Sequence, residues 1–363
     1  MDRREFLKST GAAAAAGATA TASTAASAAQ PALAAPHLSK GLKELLLASP
    51  WPGETTGLAD QASRLARRIE IATDRRYRVR LMPCRTGGLE AVMMADADLY
   101  HGTEHHHLGF HPAFAFFAGL PFFTGLDAPD LEAWLTVGGG QELWDELAGE
   151  FNVKPMLAGH TGRWPGLWSR RAIDSLADLA GAPVCVMGLG RDVMRGIGAD
   201  PVVVSSADIA PALDSGEIAA AEWGGALQSL AAGLPQVAKH LTGFGINTSG
   251  TAISFGVRAS LWARMDAADR AIFEAAAAAE YRLALAEARA HEFMVRELFV
   301  DTFGVSLAPF PDDVSGALSR VADAVVAHVA GHDGQAQAIN ASYMAFRRAV
   351  SGLEPIRGVP PAA

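Results

Sequence analysis

Between His101 and Pro112 the chain reads His101-Gly102-Thr103-Glu104-His105-His106-His107-Leu108-Gly109-Phe110-His111-Pro112, five of its 11 histidines beside one glutamate. Neutral imidazoles are the commonest ligands of transition metals, so Glu104, His105, His107 and His111 are the residues from which a metal site would be built. The spacing argues against one. Zinc sites place histidines at helical offsets or combine them with cysteines, whereas adjacent histidines in an extended segment point to opposite sides. The cluster is read as a polar loop or pocket wall, with metal or metal-chelate binding kept as the alternative. A second candidate is the turn Gly159-His160-Thr161-Gly162-Arg163-Trp164-Pro165-Gly166, whose glycines let backbone approach a ligand or simply reverse the chain. A third is the stretch in which Gly188-Leu189-Gly190 precedes Arg191 and the chain later closes on Glu222-Trp223. There is no Gly-x-Ser-x-Gly elbow, Walker loop or paired-cysteine site, so these groups suit binding better than bond-breaking.

The elements that must hold these residues follow from the pattern. Residues 183–187 form an apolar run of strand length, the glycine pair turns the chain, and a helix starts at Arg191. Residues 201–204 and 216–221 read as two further strands with a helix over 208–213 between them, capped by Ser205 or Ser206. Strands alternating with short helices predict βαβ units and a mainly parallel sheet. Upstream, 58–71 has helical spacing, 77–81 alternates as a strand, 89–95 is a short helix and 98–100 a strand end. A helical stretch over 131–151 is broken at Gly138-Gly139-Gly140, and 153–158 is a strand. From Asp266 to about Phe303 one helical pattern runs unbroken to Gly304, roughly 50 Å at about 1.5 Å per residue, long enough to span two lobes. A strand over 305–309 and helices over 315–330 and 335–350 follow.

With 363 residues, half of them hydrophobic, the chain is long enough for two lobes with separate cores. Its net charge of −9 leaves no basic surplus for nucleic acid or an anionic membrane surface. Cys84 and Cys185 give no disulfide framework, and two buried free thiols are the simpler reading. At the N-terminus Arg3-Arg4 precedes Phe6-Leu7-Lys8 and a weakly apolar run of Ala, Gly and Thr, which resembles a twin-arginine export signal. Ala32-Leu33-Ala34 fits a cleavage site, so a signal over 1–34, a mature chain from about Ala35 and a periplasmic location are expected. No cysteine stands there for a lipid anchor.

Further landmarks are Ala97-Asp98-Leu99-Tyr100-His101-Gly102, the run from Gly109 to a Leu-Pro-Phe at 120–122, and Ser175-Leu176-Ala177-Asp178-Leu179-Ala180-Gly181. With Val193-Met194-Arg195 after the glycine pair and Gly216-Glu217-Ile218-Ala219-Ala220-Ala221-Glu222-Trp223, their order resembles the solute-binding subunits of TRAP (tripartite ATP-independent periplasmic) transporters, in particular the branch that binds 2-oxo acids. The resemblance implies an α/β, two-lobe periplasmic-binding-protein-like (type II) fold with a hinge and a long spanning helix. It implies lobe I over 35–157 plus 246–290, lobe II over 158–245 plus 291–355, and a tail over 356–363. It also implies a small organic acid as ligand, TRAP membrane permease subunits as partners, and no catalysis.

Two departures bear on the site. The position that carries a carboxylate-gripping arginine in the family is Cys185, and Trp164 stands where the 2-oxo-acid branch has a glutamine that helps hold an ion. Glu222 and the carbonyl of Trp223 remain, so a sodium or divalent cation beside the ligand is compatible though not required. Glu222 alternatively accepts hydrogen bonds from the solute or serves the hinge. Arg191, at a helix tip, either moves the anion-binding charge there or is a surface arginine. The family's first-lobe aromatic and tyrosine positions fall near His105, His106 and His107, and His160 and Trp168 are expected on the opposite wall. The expected ligand set is therefore Arg191, Glu222, Trp223, His160, Trp168, His106 and Cys185; the alternative is a periplasmic metal-binding protein built on the histidine cluster.

Overall fold

The computed structural model describes residues 41–51, 53, 56–247 and 249–352; the expected export signal, cleavage point and tail lie outside them. In chain order the strands are β1 (Lys43–Ser49), β2 (Tyr77–Pro83), β3 (Leu99–Gly102), β4 (Val153–His160), β5 (Leu167–Ser169), β6 (Pro183–Cys185), β7 (Asp200–Val202), β8 (Ala220–Ala221), β9 (His240–Thr242), β10 (Ala252–Arg258) and β11 (Ser306–Ala308). The helices that matter below are α1 (Leu58–Ala72), α2 (Ala128–Thr136), α3 (Gly140–Gly149), α4 (Gly190–Gly196), α5 (Ala267–Glu297), α6 (Asp312–Ala330) and α7 (Gly334–Ser351).

Two sheets result, ordered β2-β1-β3-β10-β4 and β11-β9-β5-β8-β6-β7. The parallel pairing expected of the stretch 178–223 is found among β6, β7 and β8, while each sheet also carries one reversed strand. β1 runs parallel to β2 and β3, but β10 is antiparallel to β3 and β4. Likewise β6 is parallel to β7 and β8, and β9 to β11, while β5 opposes both β8 and β9. The reason lies in the connections. The chain leaves the first sheet at β4 and enters the second as β5; it leaves the second at β9 and re-enters the first as β10. Each crossing delivers one reversed strand, through residues 161–166 and 243–251.

Strand alternation sends neighbouring side chains to opposite faces, so each sheet is covered on both sides. Leu45 and Leu47 of β1 join Leu65, Ile69, Tyr77, Phe255 and Phe273 in one core, and Ala48 joins Tyr100, Phe117, Trp134 and Trp144 in another. The second sheet has Val184, Val193 and Leu318 on one face and Trp168, Leu213, Leu241 and Phe299 on the other. This is a two-lobe α/β fold. Helix α5 ties the lobes together. Asp266 caps it by accepting from Asp269 N–H at 2.8 Å, Phe273 lies in a first-lobe core and Val295 in a second-lobe core. Its 31 residues span about 46 Å, and a π-helical turn at Leu298–Thr302 ends it before Gly304.

The C-terminal helices divide between the lobes. α6 packs on α4, whereas α7 packs on α2 and α3, with the Tyr343 ring 4.9 Å from Trp134 and its hydroxyl accepting from Leu126 N–H at 2.6 Å. Among the described residues no helix is long and apolar enough to cross a membrane.

Candidate functional site

Glu222 directly follows β8, and its N–H donates to Cys185 O at 2.9 Å and so extends the pairing of β8 with β6. The Glu222 carboxylate is 2% exposed. Its Oε1 accepts from Asn247 N–H at 2.9 Å and its Oε2 from Asn247 Nδ2 at 2.7 Å. Asn247 belongs to the second crossing segment, and Gly245 two residues earlier makes the approach feasible. With φ at +82° and a would-be Cβ only 2.5 Å from Glu222 Oε1, no side chain fits there. Burial pushes the Glu222 carboxyl up to about 7 against the downward pull of the hydrogen bonds from Asn247 and Ile246. Asn247 Oδ1 is buried without a partner among the described residues.

Three expected ligand residues gather here. Trp223 follows Glu222, and its carbonyl already accepts from Ser229 Oγ at 2.7 Å, leaving one lone pair. Cys185 ends β6; burial raises its thiol, with Glu222 adding to that shift and Arg191 opposing it, so all three share one neighbourhood. Arg191, the second residue of α4, is exposed. Trp164, at the expected glutamine position, is buried beside Gly245, its Nε1 donating to Thr161 Oγ1 at 2.7 Å. Cys84 and Cys185 are both free thiols.

Trp168 and His160 lie away from the Glu222 clasp. Trp168 is fully buried in the second-lobe core, edge-on to Phe299 at 4.9 Å, its Nε1 donating to Ser229 Oγ. β5 is an interior strand of its sheet, with both faces covered. His160 ends β4, where its Nδ1 accepts from Gly162 N–H at 3.0 Å and its ring meets Tyr281. Burial lowers it to about 4. It borders a cavity of about 20 Å³ with Gln61, Gln228 and Ala288, room for about one water.

The histidine cluster is spread over several tasks. Tyr100 OH donates to Glu104 Oε1 at 2.8 Å and His107 Nδ1 to Glu104 Oε2 at 2.6 Å. His106 packs near Trp51 with its Nδ1 unmet, lowered to about 4 by burial and by His107. His105 lies against Gly188 on the other lobe. His111 turns to Asp333, its Nε2 2.8 Å from Oδ2. The four residues of the metal alternative thus do not converge. Among the described residues His111, His332 and Asp333 do come within 4.8 Å of one another. His111 Nδ1, however, accepts from Ala113 N–H, so the ring proton sits on Nε2, where a metal would need a lone pair.

Asn247 had no place among the expected ligand residues, and His105 was expected only at the pocket wall or in the metal alternative. For Asn247 a signal existed in Gly243-Phe244-Gly245, two glycines of positive φ just after a strand.

Comparison with known proteins bears on the family and the fold. The sequence pattern of bacterial extracellular solute-binding proteins, family 7, matches residues 51–331, and that of twin-arginine translocation signal sequences matches residues 1–20. The chain is 28% identical over 310 residues to a monocarboxylate 2-oxoacid-binding periplasmic protein of Nostoc sp., covering 83% of each. A TRAP transporter solute-binding protein from Bordetella bronchiseptica, crystallised as a mixed-occupancy dimer with copurified calcium and picolinate, superposes with a TM-score of 0.81 at 26% identity, over 86% of this chain and 94% of that one. A TRAP periplasmic solute-binding protein from Colwellia psychrerythraea with bound calcium and pyruvate shares the fold, with a TM-score of 0.81 at 22% identity over 86% and 96%.

Proposed function

The chain belongs to the bacterial extracellular solute-binding proteins, family 7, and from that premise we propose that it captures a 2-oxo monocarboxylate such as pyruvate between its lobes and hands it to a TRAP-type permease. It is a periplasmic receptor, not an enzyme. The observation that carries the reading is the clasp of Glu222 and Asn247 behind Cys185, at the point where the second crossing returns to the first sheet. Binding here needs convergent polar groups and a hinge, with no nucleophile.

A cation fits the same place. Glu222 is a buried carboxylate with no cationic side chain bonded to it among the described residues, and Asn247 Oδ1 is an unmet oxygen beside it. Hard cations take such oxygen ligands, and relatives hold calcium or sodium together with picolinate or pyruvate. Glu222, Trp223 O and Asn247 Oδ1 would supply the oxygens here. Trp164 contributes none, which predicts a weaker ion site than one with a glutamine there. Arg191, Cys185 and His106 complete the ligand set on this reading.

On the same reading the first lobe takes β1–β4, β10, the start of α5 and, at the end of the chain, α7, while the second takes β5–β9, β11, α4 and α6. The experiment is a thermal-shift screen of the refolded protein against organic acids, amino acids and cations. A ligand at a hundredfold excess over its Kd adds about 2.7 kcal/mol of stability, so pyruvate with calcium or sodium is expected to shift unfolding clearly where amino acids do not.

A further inference from the structure

His105 sits in the one-turn helix Glu104–His107, 6% exposed, and neither ring nitrogen has a hydrogen-bond partner among the described residues. A neutral imidazole always carries one N–H and one lone pair, and burying both unmet costs their full desolvation. The ring also lies across the seam between the lobes. It packs on Gly188, whose φ of +60° and lack of a side chain leave it space; a Cβ there would collide with Nδ1. Gly188 leads from Cys185 on β6 to Arg191 on α4. A first-lobe imidazole therefore faces the second-lobe turn that carries a cysteine where the resemblance expects a guanidinium.

The charged groups around it are few. On its own turn, Glu104 is held by Tyr100 and His107, and His106 and His107 are its neighbours. Of the elements packed on that turn, Pro112–Phe114 and Ala115–Ala118 have no titratable side chain, and the one ionisable group of β10, Arg258, is paired with Asp98. From the second lobe come Cys185 and the exposed Arg191, with Glu222 behind them held by Asn247.

We propose that His105 receives the solute's carboxylate in this seam, meeting it as an imidazolium, so that capture of the acid carries a proton in with it. This rests on the reading of the cleft as a carboxylate site. In the free protein burial holds the imidazole neutral, down to about 3, with His106 adding to the effect. An anion at hydrogen-bond distance favours the charged form and reverses that balance. The proton comes from solvent and stays on the ring; the ligand arrives and leaves as the carboxylate.

Calorimetric titration with pyruvate at pH 7 and fixed calcium, repeated in buffers of different ionisation enthalpy, counts the protons taken up. Proton uptake is expected to grow towards one per pyruvate as the titration is repeated from pH 7 down to about pH 5, with affinity rising over the same range. In His105→Gln, which keeps a donor and an acceptor, pyruvate is expected to bind more weakly and the uptake and the pH slope to vanish. Pyruvate binding with no uptake in the wild type overturns the proposal and leaves the family reading intact, whether or not the variant folds. A pH slope that survives in His105→Gln also overturns it and places the proton on another group. Absence of binding by every carboxylate tried removes both readings.

Discussion

Glu222 is an acid buried against an amide rather than a cation, and its titration can be followed through stability. Its folded value of about 7 lies above the ordinary 4.5, so between those pH values the folded state holds more proton than the unfolded one. Stability from this group is therefore present below pH 4.5 and lost as pH rises to 7, by roughly 3 kcal/mol at 1.36 kcal/mol per unit. Comparison of Glu222→Gln with the wild type by urea unfolding at pH 4.5 and 7.5 should show the variant gaining by about that amount at the higher pH; parallel pH profiles would contradict the account. The buried histidines act with the opposite sign. His101 and His105 are lowered to about 3 and His106 and His160 to about 4, each chiefly by burial. Their neutral forms stabilise the fold above pH 6.5, and that contribution is lost as pH falls towards 3 to 4. Unfolding free energy is expected to drop steeply from about pH 6.5 downwards, as urea midpoints across pH 4 to 7 would record. Glu222 and Trp223 were legible in the sequence because they follow a recognisable strand. His105 was singled out only together with His106 and His107, since three consecutive histidines differ only in the direction each takes from a one-turn helix.

At the scale of elements, the site depends on the two crossings and on the turn from β6 to α4. Gly188→Ala would set a methyl group against His105 Nδ1 and strain a positive φ by about 1 to 2 kcal/mol. Closure should suffer more than folding. Expected is a loss of pyruvate affinity of at least about tenfold with a modest fall in Tm; unchanged affinity would show that His105 and Gly188 need not meet in the complex. Helix α5 offers a second test. Its Asp266 cap should be worth about 1 kcal/mol, read as the loss in Asp266→Ala, while Phe299→Ala, which leaves Trp168 without its ring partner, should cost about 3 to 5 kcal/mol. The cap and the stop of α5 were readable from Asp266 and Gly304, and α1 and α3 fall where spacing and glycines put them. β10 was not assigned. It is buried from Ala252 to Val257, and a continuous apolar run shows no period with which to tell strand from helix. The reversed strand in each sheet was not readable for a related reason: side-chain alternation reads the same in either strand direction.

At the scale of the whole molecule, two lobes joined by two crossings and one long helix form a hinge, and the contact of His105 with Gly188 shows them meeting at its mouth. The resemblance of ordered landmarks was enough to foresee this architecture, because it is carried by turns and strand ends spread along nearly all of the exported chain. The path of α7 back to the first lobe was not foreseen, since its packing on α2 and α3 depends on side chains far away in sequence. On the proposed function the seam behind Glu222 takes a 2-oxo monocarboxylate. The most direct test of that reading is calorimetric titration of the refolded protein with pyruvate, with and without calcium, in the wild type and in Glu222→Gln. Saturable pyruvate binding that calcium strengthens in the wild type and not in Glu222→Gln is the predicted result. Pyruvate binding that Glu222→Gln leaves unchanged, or none at all while another solute class binds, would contradict it.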